Sequence, residues 1–422
     1  MYSSSSDICI PCPNEAWCPN GVSCAEGHVG AGCASCANGY FFLNDTCQTC
    51  PSNSSLIYLV MGGVLLVFCF VIYKISGKHI NPAIFAVSNM SINHFQIISL
   101  SVNLKFDLPN VFVEMINWIQ AVFGFMFVDL LASPECQVKM DFYDKWALLA
   151  FFPLMLTAFF LILLFIPSTS DFNRKIFHMI ELVNSVMYIF AISQAFKLWD
   201  CVPLEDGTYV LEWDPDIQCF EGDAWTGMAT IALCLFSVYI FFPPLFFFWL
   251  LAKERHLPNS TEVIDVDWIK DRYKPDFIYW EPMVVMPKKF FLLFWATFMP
   301  DQHSQAALTL ITLMIFWSIH AYNRPYNNVH KSSPELENNL KNWLYSFEVA
   351  LLVGMWIYSS IGGNGTIATL IFMFIYGVAL IWILWNIKKL KDRLDELYEE
   401  DADRENLAKK QDGLELGETI FS

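Results

Sequence analysis

A chain of 422 residues with 55% hydrophobic residues and a mean hydropathy of +0.41 is too apolar to fold as one soluble domain. Its formal net charge of −17 argues against a nucleic-acid partner, although in a membrane protein the distribution of charge matters more than the sum. We therefore predict an all-α, polytopic transmembrane helix bundle with membrane lipid around most of the chain.

Residues 1–55 are predicted to form a small, disulfide-rich extracellular domain. Eight of the 13 cysteines lie there: Cys9, Cys12, Cys18, Cys24, Cys33, Cys36, Cys47 and Cys50. A dense, even set of cysteines in so short a segment is typical of a disulfide scaffold, although three CxxC pairs leave a zinc module open. Asn44 and Asn53 begin glycosylation sequons, which are used only in an oxidising compartment and so favour disulfides. Either the first helix translocates this tail, or a signal and a longer ectodomain precede it.

Residues 56–387 are predicted to contain about nine membrane spans. We place them at roughly 56–76, 110–131, 146–166, 176–197, 225–251, 288–300, 305–321, 342–360 and 366–387. No Lys or Arg precedes Lys74, and the acidic loop 200–223 contains no basic residue, so both regions are expected outside the membrane. Cys201 and Cys219 are expected to close that loop. The N-terminus is then outside, the C-terminus is cytoplasmic, and 22 of the 25 Lys and Arg residues lie inside.

This topology requires one apolar segment that does not cross the membrane. Residues 82–104 contain His94, Gln96 and several Asn and Ser residues, which predicts an amphipathic helix on the inner surface. The sixth span is short and precedes residues 300–304, so we expect a tight helical hairpin or a re-entrant pair with the seventh. After the last span, residues 388–422 predict a cytoplasmic charged helix and a disordered tail.

Polar side chains inside the predicted spans are the candidate residues of an ion path. They are His178, Glu181 and Asn184 in the fourth span, Asn117 and Asp129 in the second, and Glu348 in the eighth. The three in the fourth span are three residues apart and share one helix face. Carboxylates and amides without an intramembrane Lys or Arg favour cations or protons in a hydrated path. Hydrogen bonds that only fix helix packing would explain the same residues.

The chain lacks the short motifs that mark common enzyme sites. It contains no GxSxG, no HExxH, no phosphate-binding glycine loop and no dinucleotide fingerprint. We therefore expect no enzymatic activity, no cofactor and no metal site.

Two sets of short motifs run through the chain, one in the cysteine-rich region and one in the membrane region. The first is GHVGAGCASCANGY from Gly27 to Tyr40, followed by CQTCP from Cys47. The second comprises Gln96 with Leu100, Pro134-Glu135-Cys136, Tyr273 with Trp280-Glu281, Lys288-Lys289, and His320 with Pro325-Tyr326-Asn327. Together they resemble large protist and algal surface proteins with ephrin-receptor-like or EGF-like repeats before a polytopic membrane region. That group is loosely similar to transient-receptor-potential and polycystin channels.

The resemblance implies a cation channel or mechanosensory receptor of the plasma or ciliary membrane. Transient-receptor-potential channels place a pore helix and filter between their last two spans, whereas residues 361–365 are too few to form them. A pore would then run through the bundle of one protomer or lie elsewhere. We therefore predict a channel-like protein, with cations, an extracellular protein assembly and further copies of the chain as partners. A non-conducting anchor or receptor and a lipid transporter are the alternatives.

Overall fold

The computed structural model of the chain is built mainly of α-helices. It describes residues 82–101, 110–123, 142–165, 170–203, 207–211, 214–256, 273–299, 301–326 and 336–360, with parts of residues 2–50 and a few isolated positions. The predicted span 56–76 lies outside the described residues, as do nearly all of 366–422 and residues 124–131 of the second span. Those predictions stay predictions.

The described residues form nine α-helices. They are α1 (Pro82–Leu100), α2 (Asn110–Phe123), α3 (Phe142–Leu164), α4 (Ser170–Val186), α5 (Tyr188–Phe196), α6 (Asp223–His256), α7 (Met286–Phe298), α8 (Gln302–Asn323) and α9 (Leu336–Ser360). Among them α3, α6 and α8 are long and apolar enough to span a membrane. The helix-rich fold is therefore confirmed and contains three candidate membrane spans among the described residues, whereas nine separate spans remain a prediction.

Large apolar side chains cover the outward surfaces of α3 and α6. Phe159 and Ile162 on α3 and Phe241, Leu245 and Trp249 on α6 are exposed. An exposed apolar surface of this size is unfavourable in water and favourable against hydrocarbon. On the opposite, inward side, one apolar core contains side chains from α1, α2 and α3 and from the five helices α5 through α9.

The fourth predicted span consists of two helices rather than one. α4 ends at Val186 and α5 begins at Tyr188, with Met187 at φ −82° and ψ 2° between them. Every residue of α5 is buried, and the ring of Phe196 contacts those of Phe236 and Phe298. α5 therefore lies inside the bundle, and the predicted span 176–197 is divided between two helices.

The structure corrects the prediction of a surface helix at 82–104. The helix is present as α1, but most of its described side chains are buried, including His94 and Gln96. It packs against α7 and α9, where His94 meets Glu348 and Gln96 meets Lys289. Its polar side chains face other helices instead of lipid headgroups, a distinction that helical periodicity cannot make.

α7 and α8 form a tight helical hairpin, one of the two arrangements expected. A π-helical turn, Glu281–Val285, leads into α7. The carboxylate of Asp301 caps α8 by accepting a hydrogen bond from the Ser304 N–H at 2.9 Å. Hydrogen bonds from the Ser304 side chain and N–H hold the pKa of Asp301 below its usual range. Gln305 donates to the carbonyl oxygens of Ala296 and Met299 at 2.9 and 3.0 Å, which satisfies the end of α7.

Disulfides hold both cysteine-rich regions. Cys24 bonds to Cys33, Cys36 bonds to Cys47, and Cys18 and Cys50 are disulfide-bonded as well. Because Cys33 and Cys36 bond to different partners, this CxxC pair does not form a zinc site. The predicted disulfide between Cys201 and Cys219 is confirmed. The side chains of Cys9 and Cys12 and the sequon residues Asn44 and Asn53 lie outside the described residues.

Short antiparallel strands surround these disulfides. They pair as β1 (Tyr2–Ser3) with β2 (Cys9–Ile10), β3 (His28–Val29) with β4 (Ser35–Cys36), β5 (Tyr40–Leu43) with β6 (Thr46–Thr49), and β7 (Cys201–Pro203) with β8 (Tyr209–Leu211) and β9 (Asp214–Gln218). His28 is buried, donating from Nδ1 to the Cys33 carbonyl at 2.8 Å and accepting at Nε2 from the Cys47 N–H at 3.0 Å. Gly27 has φ +81°, and a Cβ there would lie 2.4 Å from the Tyr40 ring, so glycine is required.

Candidate functional site

A group of buried ionisable side chains lies where α1, α7 and α9 meet. We call it the Glu348 cluster: His94 from α1, Lys288 from α7, and Lys341, Tyr345 and Glu348 from α9. Each is at most 4% exposed. Burying a charged group is costly unless another group compensates it, so the contacts among these five residues determine what the cluster can do.

Glu348 connects α9 to both neighbouring helices. Its Oε1 is 2.9 Å from Nδ1 of His94, and its Oε2 is 4.0 Å from Nζ of Lys288. Lys288 also donates to the Tyr345 hydroxyl at 3.2 Å and lies 4.3 Å from the centre of that ring. Lys341 lies 5.1 Å from the same ring centre, within cation–π range. One network therefore ties three helices together.

Helical spacing places the α9 members on one face. Lys341, Tyr345 and Glu348 are four and three residues apart, and Asn338 lies three residues before Lys341. The Asn338 side chain accepts from the N–H of Tyr326 and donates to its carbonyl oxygen, both at 3.2 Å. The same face of α9 thus holds the cluster and anchors the segment that follows α8.

Two further buried contacts adjoin the cluster. Lys289 donates to Oε1 of Gln96 at 2.8 Å, and Nε2 of Gln96 donates to the Val186 carbonyl at the end of α4, also at 2.8 Å. Tyr273 donates to Oε2 of Glu281 at 2.7 Å, at the start of the π-helical turn. Turns of this kind recur at functional sites.

The buried charges are unequal in number. Among the described residues, the buried charged side chains are Glu281, Lys288, Lys289, Lys341 and Glu348. Three lysines against two glutamates leave a formal excess of one positive charge.

A cavity begins at Glu348 and continues between α1, α7, α8 and α9. Its volume is about 30 Å³, and most of its wall is apolar, with Leu100, Leu292, Leu313 and Leu352 as one example from each helix. On α1, α7 and α9, the residues that line the cavity, apart from Glu348 itself, lie C-terminal to the cluster residues of the same helix. These three helices therefore run in the same direction, and the cavity extends from Glu348 along them.

Three polar side chains line this cavity: Ser101, Thr309 and Glu348. Ser101 donates to the Ile98 carbonyl at 2.5 Å. Oε2 of Glu348 and the hydroxyl of Thr309 are buried without a hydrogen-bond partner in the described part of the chain. The volume is sufficient for about one or two water molecules, which would satisfy both oxygens.

No protein-family model, curated protein or solved structure matches the chain. The functional argument therefore depends on the geometry of the site. Within the described residues, no group of three or more His, Cys, Asp or Glu side chains could hold a metal ion.

Of the six residues predicted to share an ion path, the structure describes the side chains of three: Glu348 on α9, Asn184 on α4 and Asn117 on α2. Glu348 lines the cavity described above. Asn184 donates to the Ile180 carbonyl within α4 at 2.8 Å and lines a smaller cavity, of about 10 Å³, with Tyr188 and Tyr239. Asn117 is half-buried on α2. The side chains of His178 and Glu181, and all of Asp129, lie outside the described residues.

The expectation that the intramembrane carboxylates have no lysine nearby is wrong for Glu348. Lys288 lies 4.0 Å from its Oε2, and Lys341 contacts the same tyrosine as Lys288. The sequence placed Lys288 and Lys289 at the start of the predicted span 288–300, and the structure buries both. The spacing of Lys341, Tyr345 and Glu348 was a signal that could have identified the α9 face. No local signal identified His94 among the many polar residues of 82–104.

Motif residues that are far apart in sequence adjoin one another here. Gln96, Glu281, Lys288 and Lys289 are all buried in or beside the cluster. The ring of His320 lies 5.6 Å from that of Tyr345 and 5.8 Å from that of Tyr326. The members of the second set named here therefore lie in one contiguous region, whereas Pro134-Glu135-Cys136 and Asn327 lie outside the described residues.

Proposed function

We propose that the chain is a channel-like membrane protein whose conduction path runs through one protomer, between α1, α7, α8 and α9. The cavity that begins at the buried carboxylate of Glu348 supports this proposal. Ionisable groups inside membrane bundles commonly mark ion pathways. The apolar wall beyond Glu348 is suited to a gate that closes by excluding water.

In this proposal the protein belongs to the plasma or ciliary membrane, with both cysteine-rich regions outside. The distribution of Lys and Arg along the chain supports this orientation. The disulfides Cys24–Cys33 and Cys201–Cys219 support an oxidising environment for both regions. The N-terminal region then serves as an extracellular stalk that senses mechanical stimuli or contacts other proteins.

Replacing Leu313 by Ser tests the path. A hydroxyl in the apolar wall offers water a hydrogen bond worth about 1 kcal/mol, which corresponds to about a fivefold increase in ion flux. The measurement is ion flux from liposomes that contain the full chain. Leu245→Ser is the matched control because Leu245 lies on the outward surface of α6, away from the cavity. If Leu313→Ser passes no ions, the path does not exist.

A non-conducting anchor or receptor is the second candidate. The observation that favours it is the network of Glu348, His94 and Lys288, which ties three helices into a rigid support. An anchor would leave the flux of the wild type, Leu313→Ser and Leu245→Ser at the level of protein-free liposomes.

A further inference from the structure

We infer that the path through the Glu348 cavity is selective for protons over metal cations. This inference rests on the proposed function and specifies the ion that the same site would accept. It depends on which oxygens line the cavity, on the charges that face Glu348, and on the space for water beside it.

A metal cation in this cavity would meet few oxygens. The polar side chains of the wall are Ser101, Thr309 and Glu348. Calcium takes about 6–8 oxygen ligands, magnesium requires about six, and potassium passes where rings of carbonyls replace its hydration shell. The cavity wall supplies too few oxygens to replace a hydration shell.

A metal cation would also meet positive charge. The groups facing Glu348 are His94 from α1, Lys288 from α7, and Lys341 and Tyr345 from α9, with Glu281 close to the lysines. α8 contributes Thr309 to the cavity wall, and none of its described wall residues is charged. Two lysines beside one carboxylate repel a metal ion that approaches Oε2.

A proton needs only an acceptor and a neighbouring water. Oε2 of Glu348 and the hydroxyl of Thr309 both line the cavity as buried oxygens without a partner in the described part of the chain. One or two waters fit between the cavity walls and can hydrogen-bond both oxygens. The cavity is thus suited to a short water chain that ends at a carboxylate.

His94 orients the carboxylate of Glu348 by donating to one of its oxygens, which leaves the other oxygen facing the cavity. Its Nδ1 is 2.9 Å from Oε1, on the side of the carboxylate away from Oε2. Transfer of one proton from a hydronium ion in the cavity to Oε2 forms the acid and leaves a water molecule, and release of that proton from Oε2 to the next cavity water restores the carboxylate. Each step breaks one bond to hydrogen and forms one, so no other reactant is needed.

The test compares proton and metal-ion flux in liposomes that contain the full chain with Leu313→Ser. An internal pH-sensitive dye reports protons, and sodium- and potassium-sensitive dyes report the metal ions. We expect proton flux above that of protein-free liposomes, with sodium and potassium flux at the background level. Replacing Glu348 by Gln should reduce proton flux at least about tenfold.

Because Glu348→Gln leaves Lys288 buried beside a neutral group, the combined variant Glu348→Gln with Lys288→Met is measured as well. Glu114→Gln is the matched control, since Glu114 is an exposed carboxylate on α2. Proton flux that persists in the combined variant would overturn the assignment of Glu348. Sodium or potassium flux as large as proton flux would overturn the proton selectivity and leave the proposed path standing. An absence of any flux would overturn the path itself.

Discussion

Replacing Glu348 by Gln removes one charge of the cluster while keeping the size of the side chain. Nζ of Lys288, 4.0 Å from Oε2, then stays buried without the carboxylate. Two unit charges at this distance interact by about 4 kcal/mol at an effective dielectric constant of about 20. Breaking a buried ion pair by removing one partner costs about 3–5 kcal/mol in comparable cases. We therefore expect Glu348→Gln to lower the free energy of unfolding by about 3–4 kcal/mol.

Lys288→Met should lower the free energy of unfolding by a similar amount, because it leaves Glu348 without its lysine. The double variant removes both charges and leaves neither uncompensated. Its free energy of unfolding should therefore fall by much less than the sum of the two single decreases. We expect a coupling energy of about 2–3 kcal/mol in the double-mutant cycle. The assay is denaturant unfolding of the detergent-solubilised protein, followed by circular dichroism.

The exposed carboxylate of Glu114 provides the control for this cycle. Glu114→Gln should change the free energy of unfolding by less than about 0.5 kcal/mol, as is usual for surface substitutions. If the losses of Glu348→Gln and Lys288→Met simply add in the double variant, the two side chains do not interact in the folded protein. That result would refute the charge network on which the functional argument depends.

Two further predictions concern the regions outside the cluster. Replacing both Cys201 and Cys219 by Ser opens a loop of sequence separation 18 and should cost about 3 kcal/mol in thermal unfolding; an unchanged melting temperature would contradict a stabilising role for this disulfide. Asp301 has a lower pKa in the folded protein than in the unfolded chain. Its ionised carboxylate therefore stabilises the folded protein at pH values above the unfolded pKa of about 4. This stabilisation is lost as the pH falls through the folded pKa. Asp301→Asn should remove that part of the pH dependence of unfolding, and identical pH profiles for the two proteins would show that the cap has no effect.

The sequence by itself determined the long apolar helices and the acidic-loop disulfide. The predicted spans 225–251 and 305–321 fall within α6 and α8, and 146–166 overlaps nearly all of α3. These predictions succeed because the length of an apolar run and the polar residues at its ends are local properties. The Cys201–Cys219 bond could be predicted because these are the only cysteines of their loop.

Only the tertiary structure decided which polar faces meet. Helical periodicity shows that α1 has polar residues, but it does not show whether they face headgroups, water or another helix. His94 and Glu348 are 254 residues apart in sequence, and Lys289 and Gln96 are 193 apart, so no local pattern links them. The break at Met187, which divides the predicted span 176–197 into α4 and α5, was likewise not predicted from the sequence. Pairing of buried charges is a property of the assembled bundle, because each partner is stabilised only when the other has been brought beside it.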